Sequence, residues 1–291
     1  MRRNRRAGGF TAIRVEGGLF PYDFVDRVAQ RQATQQSDGD YGVSRSLDLK
    51  EELARYWRIA NDLYSAFVER RQRKDLDPHR VTADEFLVPL LRDVFGFREM
   101  RSTAPITVNE RRFPLTHVAF DGAVPMALVP WLYELDRGDQ RFGDETRRRA
   151  PHSLIQEYLN ASKDSLWGIV SNGLRLRLLR DNPSLTRPAY VEADLQLIFE
   201  EELYSDFVAL WLIIHASRFE PRDDSPASCI LEKWLEKSRE IGQRALSNLR
   251  GGVEQALREL GSGFLEHPAN AALRDRIASG QLSALEYFQE L

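Results

Sequence analysis

The chain has one cysteine, Cys229, in 291 residues. An internal disulfide is therefore excluded, and the composition suits a reducing compartment. No apolar run approaches the roughly 20 residues of a membrane-spanning helix. The basic start (Arg2, Arg3, Arg5, Arg6) is not followed by a signal-peptide core. These absences predict a cytoplasmic protein without a membrane partner. His79, His117, His215 and His267 have no Cys or His at metal-ligand spacing, which argues against structural zinc. There is no G-x-x-x-x-G-K-[ST] loop, so P-loop nucleotide hydrolysis is excluded. Gly8-Gly9, Gly17-Gly18 and Gly251-Gly252 do not follow strand patterns and cannot serve as dinucleotide loops. A G-x-S-x-G elbow is missing, and so are an [DNS]-P-P-[YFW] tetrapeptide and an F-x-G-x-G loop. The formal net charge of −3 gives no whole-protein attraction for a polyanion. Only local patches can supply one.

What is present is ordinary for a globular chain: 42% hydrophobic and 29% charged residues, long enough for one large or two modest domains. Residues 1–46 read as an arm with a short helix around Pro21–Arg31, its first ten residues disordered. From Asp48 the helical period is strong, with Leu49, Leu53, Tyr56, Trp57, Ala60, Leu63, Tyr64 and Phe67 on one face. Thr82 and Glu85 predict a capping box for a second helix, which Gly96 closes.

Strand character follows at Thr103–Val108, Arg112–Phe120 and Val124–Asp136, then a basic loop over Gly138–Ala150 and a helix over Pro151–Ser162. The stretch Trp167–Asn182, WGIVSNGLRLRLLRDN, reads as a hairpin turning at Asn172-Gly173, both with positive φ. Its second strand alternates Leu174, Leu176 and Leu178 with Arg175 and Arg177, giving one apolar and one cationic face. A strand near Ala189–Val191 completes the set. After Asp194 the pattern is helical: a buried helix over Leu203–Arg218, a linker at Pro221–Pro226 and a long amphipathic helix over Ser228–Leu260. That helix is expected to break at Gly251-Gly252 and to end before Gly261-Ser262-Gly263. Ser283 and Glu286 form a further capping box, and a helix running into Leu291 without a stop signal suggests a truncated longer polypeptide. The expected domains are an arm (1–46), an α/β domain (47–194) and a helical connector (195–291).

Helix, three strands, helix, strand is the order of the PD-(D/E)XK nuclease core. The expected fold class is therefore α+β, a degenerate nuclease-like mixed sheet flanked by helices and followed by an all-helical region. Such a site pairs carboxylates at adjoining strand ends to hold a divalent metal that activates water. Asp121, at the turn between the second and third strands, is the candidate partner of Glu134 and Asp136, with Asp121 and Glu134 as the Mg2+ ligands. The lysine two residues after Glu134 is absent: Asp136 holds its place and Arg137 follows. Two carboxylates without it make efficient cleavage doubtful. Gln156 and Glu157 lie on the following helix, with His152 four residues before Gln156 on the same side. Arg147, Arg148 and Arg149 on the loop, with Arg175, Arg177 and Arg180 on the hairpin, are candidate contacts for DNA phosphates. A solvated face balanced by nearby carboxylates is the alternative for these arginines.

The segments PHSLIQEYLN, WGIVSNGLRLRLLRDN, SLTRPAYVEADL and LGSGFLEHPANAALRDRIASGQLSALEYFQEL together resemble the N-terminal region of type IIG-like fused restriction–modification adenine methylases, including BREX- and DISARM-type phage-defence methylases. The resemblance runs from about Gly9 to the end. It implies an enzyme acting on double-stranded DNA with S-adenosylmethionine, and other defence-system subunits as partners. The family's N-P-P-Y motif and cofactor loop have no counterpart here, so no cofactor is expected in this chain. Two other readings stay open. One is an active metal-dependent endonuclease using Asp121, Glu134 and a relocated Arg137, and the other is a standalone helical interaction protein.

Overall fold

The computed structural model describes residues 9–21, 23–143, 147–182, 188–223, 225–283 and 286–287. Arg2, Arg3, Arg5 and Arg6, and most of the helix expected after Ser283, lie outside them. Ile13–Glu16 (β1), in the segment expected to be an arm, pairs antiparallel with Tyr190–Asp194 at one edge of the main sheet. Phe24–Ala29 (α1) buries Phe24, Val25 and Val28. Asp206 accepts a 2.7 Å bond from the Ala12 N–H, which ties this segment into the core.

The Asp48 carboxylate accepts from the N–H groups of Lys50 and Glu51 and opens α2, Leu49–Arg71. Leu49, Leu53, Ala60, Tyr64 and Phe67 form its buried face. Arg80–Leu87 and Leu90–Val94 are wound as π-helix, and Gly96, at φ 84°, ends them. The capping box expected at Thr82 and Glu85 does not form. The buried Thr82 hydroxyl donates to the Pro78 carbonyl and accepts from the Trp131 N–H, while Glu85 pairs with Arg70 and Arg80. The box at Ser283 and Glu286 does form, through reciprocal bonds of 2.9 and 3.1 Å.

The expected strands shorten for covalent reasons. Arg101–Ser102 is β2, and Ile106–Val108 (β3) with Arg111–Phe113 (β4) makes a separate two-stranded ribbon. Pro114 separates that ribbon from His117–Ala119, β5. Val124–Leu128 (β6) stops short of Asp136, because Pro130 lacks the N–H that a continuing ladder needs. Pro151–Ala161 (α3) then crosses to Trp167–Ser171 (β7), which lies parallel to β6. Arg175–Arg180 (β8) and Tyr190–Asp194 (β9) return antiparallel. The seven-stranded order is β1-β9-β8-β7-β6-β5-β2, and β6–β7 is its one parallel pair. The architecture is mixed α+β.

Both sheet faces are covered. Met126, Ile169, Leu176, Leu178 and Val191 belong to the larger core with α1, α2, Leu195–Glu200 (α4) and Tyr204–Ile214 (α5). Ala127, Val170 and Leu179 pack with Leu154, Ile155 and Phe113 in a smaller core under α3. Ile230–Glu266 (α6) runs unbroken through both glycine clusters expected to interrupt it. A helical glycine costs only about 1 kcal/mol, whereas Pro268 disfavours helix at His267 and ends it. Ala271–Ala278 (α7) follows. The chain divides into two compact units, Met1–Glu236 and Lys237–Leu291, not at 46 and 194. The boundary moves because β1 completes the sheet and α5, apolar on nearly every side, is core rather than connector.

Candidate functional site

The β7–β8 turn is shifted by one residue from its expected position. Ser171 pairs with Leu176, so the central residues are Gly173 and Leu174. Gly173 has φ 78°, while neither Asn172 nor Leu174 has positive φ. Glycine at the first central position is the type II′ preference. Asn172 instead secures the turn with its side chain. Its Oδ1 accepts from the N–H groups of Leu174 and Arg175, and its Nδ2 donates to the Tyr133 carbonyl at 2.8 Å. The segment that carries Glu134 and Asp136 is thereby fastened to the end of β7.

Arg177 is the centre of this end of the sheet, and it is not on a solvated cationic face. The alternation of β8 is real, but α3 covers the face that carries Arg177, leaving it 2% exposed. Its Nε donates to Glu192 Oε2 at 2.6 Å from the adjoining strand, in direct register. Its two terminal nitrogens grip the Asp136 carboxylate at 2.6 and 2.8 Å. Nη1 also lies 3.2 Å from His152 Nδ1 on α3, and the guanidinium sits 4.4 Å over the Tyr190 ring. Burial works against the charge on Arg177, but Asp136 and Glu192 outweigh it and raise the pKa. The Arg177 bonds hold Asp136 below the usual carboxylate range. Burial, reinforced by Arg177, lowers His152 to about 4, so its imidazole is neutral at pH 7.

Above this network opens a cleft of about 360 Å³, lined by Trp131, Tyr133, Glu134, Asp136, Arg175 and Asp194 among others. It sits at the carboxyl ends of β6, β7 and β9.

Asp121 is not there. It occupies a tight turn between β5 and β6 at φ 52°, exposed, and the neighbouring Gly122 carbonyl accepts from Ser165 just before β7 begins. Glu134 follows the residue bonded to Asn172, just after β7 ends. The two expected metal ligands therefore stand at opposite ends of a five-residue strand, roughly 16 Å or more apart. β6 itself reads Val124-Pro125-Met126-Ala127-Leu128 and carries no carboxylate. A divalent metal does not fit these residues. Among the described residues no group of three His, Cys, Asp or Glu side chains is placed to hold one.

The remaining arginines divide into two sets. On β8, Arg180 is bound through Nε and Nη2 to Glu232 at 2.8 and 3.0 Å, and Trp167 Nε1 donates to the same carboxylate. Arg175 is half exposed, 4.0 Å from Asp194. In the loop before α3, Arg149 is buried over the Phe113 ring and Arg148 is exposed. Arg147 and Arg149 both approach Glu157 at 3.3 Å, as does Arg111 of β4 at 2.5 Å. His152 and Gln156 do share a side of α3, bonding the Arg177 side chain and the Arg180 carbonyl respectively. Glu192 and Arg111 escaped the sequence reading. Glu192 is signalled by its alternation with Val191 and Ala193, but Arg111 has no local signal.

No protein-family model, curated protein or solved structure matches the chain. No helix among the described residues is long and apolar enough to cross a membrane.

Proposed function

We propose that this chain is a nuclease-like, catalytically inactive DNA-handling module of a cytoplasmic restriction–modification or phage-defence adenine methylase. The observation that carries the reading is strand order. α2 and the π-helical turns precede the meander β2-β5-β6, α3 crosses over, and β7 returns parallel to β6 before β8 turns back. Apart from the inserted β3–β4 ribbon, this is the helix–three strands–helix–strand order of the PD-(D/E)XK core. The lost chemistry is supported by the separation of Asp121 from Glu134 and by the engagement of Asp136 with Arg177. In this reading the arginines of the loop before α3, with the half-exposed Arg175 of β8, bind and orient duplex DNA without cutting it. S-adenosylmethionine belongs to a methyltransferase portion that this sequence does not contain, and no step of methyl transfer is assigned to these residues.

Two measurements test the proposal. Fluorescence anisotropy with a labelled duplex should show binding that weakens steeply with salt, without nicking when Mg2+ or Mn2+ is added. A chain that does not bind duplex overturns the DNA-handling role. An open frame past the Leu291 codon that encodes N-P-P-Y supports the methylase assignment, and a stop codon there overturns it.

A second reading, a helical module for partner subunits, is favoured by one feature. Leu246, Leu249, Val253, Leu257, Leu260 and Phe264 recur at helical spacing on α6, each at least 38% exposed.

A further inference from the structure

We propose that α6 pairs two copies of this chain, packing antiparallel to its counterpart with Val253 on the two-fold axis. The inference is independent of the DNA-handling reading and gives the apolar stripe of α6 one occupant. Every residue from 241 to 260 is exposed. An isolated helix is marginal in water, and Gly242, Gly251 and Gly252 weaken this one further. Its stripe is also a palindrome. Leu249 and Leu257 lie four residues either side of Val253, Leu246 and Leu260 seven, and Gly242 and Phe264 eleven. All these separations keep to one helix face. A two-fold interface needs this symmetry, because residue i of one copy meets residue j of the other and j meets i. About Val253, Leu246 falls opposite Leu260 of the second copy, Leu249 opposite its Leu257, and Phe264 opposite its Gly242.

Charge selects the second copy and its direction. Residues 237–250 carry four cations and one carboxylate, and residues 254–266 carry three carboxylates and one cation. Antiparallel packing lays each basic half along an acidic half, whereas a parallel pair in register sets like against like. At the centre, Arg250 and Glu254 flank the stripe as an exposed pair 3.0 Å apart, with side chains 83% and 54% exposed. The two-fold axis brings this flank against itself in reverse, so Arg250 of one copy stands beside Glu254 of the other. Shape agrees with charge. Ala256, Leu260, Gly263 and Phe264 line a groove of about 960 Å³ on the acidic half. The residues that fall opposite its Leu260 and Phe264 are Leu246 and Gly242 of the second copy, a leucine to fill the groove and a glycine that leaves room for the Phe264 ring.

The test uses the full chain without DNA. Sedimentation equilibrium should give twice the chain mass of 33.5 kDa, falling towards the single mass on dilution. Val253→Glu sets two carboxylates against each other on the axis and should weaken the dimer by about a hundredfold or more. Gln255→Lys, on the far side of the helix, should leave it unchanged. A separated α6 can lose helix, so disulfide capture supplies a second measurement on chains that keep the stripe. Leu246→Cys chain mixed with Leu260→Cys chain should cross-link on mild oxidation. Neither should cross-link alone, because each cysteine then lies about 21 Å along the axis from its own copy. Cys229, 1% exposed, gives no background. Efficient cross-linking of each variant with itself would overturn the antiparallel axis in favour of a parallel pair. A dimer that Val253→Glu leaves intact would overturn the α6 interface. Wild-type chain that keeps the single mass at its highest soluble concentration would overturn self-association and leave the stripe to a different partner. Duplex binding decides none of these outcomes, so the DNA-handling reading stands or fails separately.

Discussion

Arg177 on β8 lies directly opposite Glu192 on β9, Nε 2.6 Å from Oε2, with both residues at least 95% buried. The pair lies under α3, so the Glu192 charge depends on Arg177, which Asp136 also holds. Arg177→Ala leaves Glu192 buried without its ion-pair partner and should cost about 3–5 kcal/mol, read from the midpoint of urea unfolding. Replacing both, as Arg177→Met with Glu192→Leu, should recover most of that loss. Arg175→Ala, two residues away but half exposed, should stay within about 0.5 kcal/mol of wild type.

His152 makes stability depend on pH. In the fold its pKa is about 4, against an ordinary value of 6.5. As pH falls the unfolded chain takes up the proton first. The contribution of His152 is therefore complete above about pH 6.5 and is lost progressively towards pH 4, up to about 3 kcal/mol. His215, lowered to about 3 by burial and by Arg218, acts with the same sign. Melting temperature should fall on acidification, and His152→Gln should flatten part of the slope. An imidazole NMR titration of His152 centred near pH 6.5 would contradict the assignment.

Gly173 is required by the turn. Besides its φ of 78°, an added Cβ would lie 2.8 Å from Thr82 Cγ2 and 3.2 Å from the Phe67 ring. Gly173→Ala should destabilise by about 1–3 kcal/mol. Gly251→Ala, inside the exposed α6 with nothing within 4 Å, should instead favour its helix by about 1 kcal/mol. Thermal unfolding of the two variants should shift in opposite directions.

The separation of Asp121 from Glu134 predicts indifference to metal. A divalent ion held by both carboxylates would raise the melting temperature by mass action. Mg2+ or Mn2+ at millimolar concentration should leave it unchanged, and Asp121→Ala and Glu134→Ala should behave as wild type. A metal-dependent rise abolished by either substitution would restore the endonuclease reading.

Much of the fold was legible locally. The helical face from Leu49 to Phe67, the helix at Pro151, the hairpin around Gly173 and the capping box at Ser283 all follow from spacing and turn chemistry within a few residues. The failures share a cause. Thr82 and Glu85 had the capping-box spacing, but Thr82 is taken by Pro78 and Trp131, and Glu85 by Arg80 of its own helix and Arg70 of α2. Glycine pairs marked breaks in α6 that the continuous helix absorbs. The candidate site was legible only as a list. Asp136, His152, Arg175 and Arg177 do gather at one sheet end, but Asp121 does not join them.

The sequence by itself determined the helices that begin at Leu49 and Pro151, that β8 alternates apolar and cationic side chains, and that no N-P-P-Y motif is present. Those properties depend on backbone geometry and neighbouring residues. Only the tertiary structure decided what the charges do. Whether an arginine faces water or a buried carboxylate depends on which element covers its sheet face, and here α3 covers Arg177 while β4 brings Arg111 to Glu157. Whether two carboxylates share a metal depends on strand direction, and β6 carries the chain away from Asp121 before Glu134 is reached.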